Sequence, residues 1–77
     1  MFKYNICTEA DQSIFDKQCA ALTKHIPGIT EKAFLHDVDD SKVRTYAVGD
    51  KEISVYNDYH VGAVYIESGI DLNEYFN

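Results

Sequence analysis

Lys42-Val43-Arg44-Thr45-Tyr46-Ala47-Val48-Gly49-Asp50-Lys51-Glu52-Ile53-Ser54-Val55-Tyr56 is the stretch that decides the fold. Its β-branched and aromatic residues alternate with polar ones on both sides of Gly49-Asp50, the pattern of two strands joined by a two-residue turn. Such a turn sets the register. Val48 then faces Lys51, Tyr46 faces Ile53 and Arg44 faces Val55, because a strand has a side-chain period of two.

The pattern continues in both directions. Phe2 to Cys7 alternates as a strand, with Phe2, Tyr4 and Ile6 on one side. Thr8-Glu9-Ala10-Asp11 has the form of a capping box, which predicts a helix from about Glu9 to His25. Phe15, Cys19, Leu22 and Ile26 fall in one stripe along it, and Pro27-Gly28 ends it. Thr30 to Val38 and Val61 to Glu67 read as further strands, bounded by Asp39-Asp40-Ser41 and by a loop at Asn57 to His60. Asp71 to Glu74 opens a short terminal turn holding Leu72, Tyr75 and Phe76.

The expected fold is therefore one α+β domain over residues 1–77, in two layers. An antiparallel sheet of four to five strands, in the order β-α-β-β-β-β, carries one long N-terminal helix on one face and a short C-terminal turn or helix. Strands one and two, joined through the helix, can lie parallel or at opposite edges. Two-residue turns at Asp40-Ser41 and a four-residue loop at Asn57 to His60 would put Ala33, Leu35, Tyr46, Val48, Ile53, Val55, Val64 and Ile66 on the helix side, with Asp37 opposite Arg44 as an ion pair. The other side would hold Phe34, His36, Val38, Val43, Thr45, Ala47, Glu52, Ser54, Tyr56, Val61, Ala63, Tyr65 and Glu67. A face left to water should be mostly polar, and this one is not. It is expected to be an interaction surface, unless the C-terminal segment folds back over it.

Composition narrows the function classes. The formal charge is −6, and all seven Lys and Arg lie between Lys3 and Lys51. That balance argues against nucleic acid and anionic membranes as partners. No apolar run is long enough to span a bilayer, and the N-terminus lacks the pattern of a secretory signal, so the expected location is cytoplasmic. Cys7 and Cys19 then read as free thiols.

From Glu52 onward there is no basic residue, and four of the six tyrosines lie there. Carboxylates around tyrosine anchors suit a binder of a basic protein surface, since Tyr supplies rigid contact area and charge steers the encounter. The residues singled out for this role are Glu52, Tyr56, Asp58, Tyr59, Tyr65 and Glu67. Small immunity and antirestriction inhibitors have compositions of this kind, though no motif ties the chain to them. The expected function is a non-enzymatic protein-binding domain of inhibitor or immunity type. A first alternative is a homodimeric accessory domain whose twin interface holds Phe34, His36, Val43, Tyr56, Val61 and Ala63. A second is a small-ligand binder or enzyme using His36 or His60.

Motifs for chemistry are absent. His25, His36 and His60 have no partner ligand at zinc spacing. Asp37, Asp39 and Asp40 lack the glycine and distal Glu of a calcium loop and read as a turn. Cys19 lies on the apolar stripe, and no activated nucleophile or Gly-rich phosphate loop is present. No cofactor, metal or catalytic residue is assigned.

Overall fold

A computed structural model describes residues 1–76, and of Phe76 only the backbone. The order is β1 (Phe2–Cys7), α1 (Gln12–His25), β2 (Thr30–His36), β3 (Lys42–Val48), β4 (Lys51–Asp58), β5 (Ala63–Ser68) and α2 (Asn73–Phe76). The five strands form one antiparallel sheet in the spatial order β1-β5-β4-β3-β2, so β1 and β2 are its opposite edges. No helix among the described residues is long and apolar enough to cross a membrane.

Helix α1 starts three residues later than its sequence suggests. Asp11 is the N-cap, and its Oδ1 accepts from Ile14 N at 3.1 Å, the short-range bond that makes Asp a good cap. Thr8 is left outside. The predicted stripe is the buried one: Phe15, Cys19, Leu22 and Ile26 join Tyr46, Ile53, Val55 and Ile66 in one core. Leu72 completes that core, with Ile70 and Tyr75 packed against it. The C-terminal segment is thus on the helix side of the sheet, fastened to β1 by Tyr4, whose hydroxyl donates to Asp71 Oδ1 (3.2 Å) and accepts from Leu72 N (2.9 Å). It does not cover the other face. The Phe76 side chain falls outside the described residues.

The registers differ in how far they follow the turns. β3 and β4 pair as predicted, with Gly49 at φ +61 in the tight turn. β4 and β5 run further before turning: Asn57 pairs with Val64 and Asp58 with Ala63, and the loop is Tyr59 to Gly62. The slip against expectation is four residues, an even number, so every side chain keeps its face. β2 is different. Leu35 pairs with Val43 and Phe34 with Arg44, and a bulge between Glu31 and Ala33 shifts the pairing again. The turn spans five residues, closed by Asp37 N to Ser41 O (2.8 Å) with Asp40 at φ 68.

The slip is odd from Ala33 to His36, so this part of β2 turns over, while the bulge leaves Thr30 and Glu31 on their expected faces. Ala33 and Leu35, expected in the core, face away from the helix, and Leu35 is 66% exposed. Phe34 and His36, expected on the second face, lie on the helix side. Arg44 pairs its charge with Glu31 (3.3 Å) rather than Asp37, and its guanidinium lies over Phe34. Val38 is in the turn and Val61 in the β4–β5 loop, so neither belongs to a sheet face.

Candidate functional site

The outer face of the sheet, opposite α1, carries a row that runs straight across all five strands. Register places Leu35, Val43, Tyr56, Tyr65 and Asn5 side by side. Adjacent strands are about 4.8 Å apart, which lets rings on neighbouring strands stack. Tyr56 and Tyr65 do so, with centroids 4.6 Å apart and planes 10° from parallel. Lys3 caps the far side of the stack, its Nζ 4.9 Å from the Tyr65 centroid. Since Tyr65 covers one side of the Tyr56 ring, its other side looks along the row towards Val43 and Leu35.

Carboxylates flank the tyrosines. Burial raises the Tyr56 phenol above its ordinary pKa, and the Glu67 carboxylate adds to the rise. Burial likewise raises Tyr65, followed by the negative charge of Asp58. Both phenols are thus held neutral as donors beside acceptors. The next row is polar: Thr45 and Ser54 share a hydroxyl hydrogen bond (3.1 Å), and Glu67 lies beside Ser54 with Lys3 beyond it. Glu52 lies further along β4 and pairs with Lys32 of β2.

Two loops close one end of this face. In the β4–β5 loop, Asp58 Oδ1 accepts from His60 N (2.9 Å) and Val61 N (3.1 Å). In the β2–β3 turn, Asp39 Oδ1 accepts from Ser41 N (3.0 Å). The loops are tied together by Tyr59 N donating to Ser41 Oγ (2.9 Å). Ser41 holds the Asp39 carboxyl below its usual range, with its N–H first and its hydroxyl second, and the nearby His60 acts in the same direction. Between loops and tyrosine row lies a cleft of about 680 Å³ lined by Leu35, Asp37, Asp39, Val43, Tyr56, Asp58, His60 and Tyr65, among others.

The structure thus brings together Tyr56, Tyr65, Asp58 and Glu67, with Val43 and Ala63 on the same face. It places Tyr59 beside them in the loop, 44% exposed, and sets Glu52 apart at the other end of β4. His36 bonds Asp40 across the turn (3.2 Å), and both His36 and His60 line the cleft. No group of three or more His, Cys, Asp or Glu is positioned to hold a metal ion among the described residues. Leu35, Asp37, Asp39, Ser41, Lys42 and Asn57 are the cleft residues that sequence reasoning did not assign to a site. The Asp-rich turn was visible, but its approach to Asp58 is set by strand pairing alone.

No protein-family model, curated protein or solved structure matches this chain.

Proposed function

We propose that this domain is a non-enzymatic binding protein that engages a basic protein through its outer sheet face, in the manner of a small inhibitor. The observation that carries the reading is the stacked Tyr56–Tyr65 pair on a face that neither helix covers, flanked by Asp58 and Glu67. Rigid aromatic area ringed by carboxylates combines contact energy with electrostatic steering. The net charge of −6 acts in the same direction at longer range.

The test is affinity capture from the cell of origin with the wild-type chain and with Tyr56→Ala and Glu67→Lys, each first checked for native circular dichroism. A partner of this surface is captured by the wild type, lost in both variants, and weakened as salt shortens the Debye length from about 10 Å at 0.1 M to about 3 Å at 1 M. A partner recovered equally by all three chains rejects the reading.

A further inference from the structure

We infer that the cleft between the β2–β3 turn and the β4–β5 loop is a subsite for one arginine side chain of the partner, stacked on the open side of the Tyr56 ring. The inference rests on the proposed binding role of the outer face and names what that face grips. The floor is apolar and aromatic: Leu35, Val43 and Tyr56 lie side by side in one row of the sheet. The wall is acidic: Asp37, Asp39 and Asp58 line the same cleft. A ligand matching both needs an apolar stem and a cationic head.

The chain's own cations do not fill this role. Lys42 also lines the cleft, but its Nζ donates to Gln12 Oε1 on α1 (2.6 Å). Lys3 sits on the far side of the tyrosine stack. His36 is occupied by Asp40. His60 lines the cleft too and acts on the Asp39 carboxylate. Lys3 over Tyr65 also shows that this stack accepts a cation against its face. A guanidinium suits the Tyr56 side better than an ammonium, because it is planar, stacks on a ring and still forks to carboxylates at its edge. The cleft, at about 680 Å³, has room for a side chain and the backbone that bears it.

The probe is an acetyl-Gly-Arg-Gly-amide peptide, titrated against the ¹⁵N-labelled domain, beside the same peptide with neutral citrulline in place of arginine. The expected result is saturable shifts of the Val43, Tyr56, Asp58 and His60 amides with the arginine peptide, and at least about fivefold weaker binding of the citrulline peptide, the worth of one charge pair at contact in water. Asp39→Asn and Asp58→Asn keep the Oδ1 acceptors of their loops and remove only charge; each should weaken the arginine peptide about fivefold. Equal binding of the citrulline peptide, shifts centred elsewhere, or no saturable shift overturns the subsite. If the subsite fails while capture of a partner protein still depends on Tyr56 and Glu67, the binding face stands without it. If the arginine peptide binds as expected and capture ignores those residues, the reverse holds.

Discussion

Asn57 Oδ1 accepts a hydrogen bond from Asp11 N at 3.0 Å, joining the N-cap of α1 to the middle strand of the sheet from a position with no solvent exposure. The bond fixes where the helix begins relative to β4. Asp11 then caps the first turn through Ile14 N, so one buried amide and one carboxylate set the helix start together. Asn57 Nδ2 has no partner and is also buried, so the amide is kept at some cost.

Asn57→Ala removes the acceptor and leaves Asp11 N without one. The expected loss is about 1–3 kcal/mol of stability, the range for an unsatisfied buried polar group. Urea unfolding with an unchanged m-value checks it. A loss below the fitting error would mean that solvent reaches the Asp11 N–H.

Alkaline pH should unfold the domain through Tyr46, a core phenol only 2% exposed. Burial, and then Cys19 beside it, push its pKa from 10.0 up to about 12. The fold favours the neutral phenol and so keeps a proton that the unfolded chain releases above pH 10. Stability is therefore complete below pH 10 and declines between 10 and about 12. The raised phenols of Tyr56 and Tyr65 act in the same direction. Melting temperatures measured across this range should fall more steeply for the wild type than for Tyr46→Phe. Parallel curves would count against the assignment.

The two thiols should differ in reactivity. Burial pushes the Cys19 thiol up, and the residue is 3% exposed, between α1 and the sheet. Cys7 is half-buried at the end of β1 and donates to Glu9 O. A thiolate is the reactive form, so a maleimide added to the native protein should label Cys7 and spare Cys19 until the chain unfolds. Mass spectrometry of the labelled peptides gives the ratio directly, and equal labelling of both would contradict the packing of α1.

The stripe Phe15, Cys19, Leu22 and Ile26 and the alternation of Lys42 to Tyr56 were legible because each records a local period that only one element satisfies. The same holds for the Gly49-Asp50 turn. The outer face of β3, β4 and β5 was legible too, even though the β4–β5 loop lies two residues later than expected, since the resulting register slip is even. The cleft was not. It depends on the end of β2 turning over and on two loops meeting at Tyr59 and Ser41, neither of which leaves a local pattern.

By itself the sequence determined the elements, the buried stripe of the helix and the acidic, tyrosine-rich character of the last two strands, because these follow from side-chain periodicity and charge along the chain. The tertiary structure alone decided the edge order of the sheet, the five-residue β2–β3 turn that puts Leu35 outside and Phe34 under Arg44, and the packing of the C-terminal segment onto the helix side. Strand register is a contest between distant segments for one core, and a slip of one or three residues exchanges the faces of a strand without altering its own alternation.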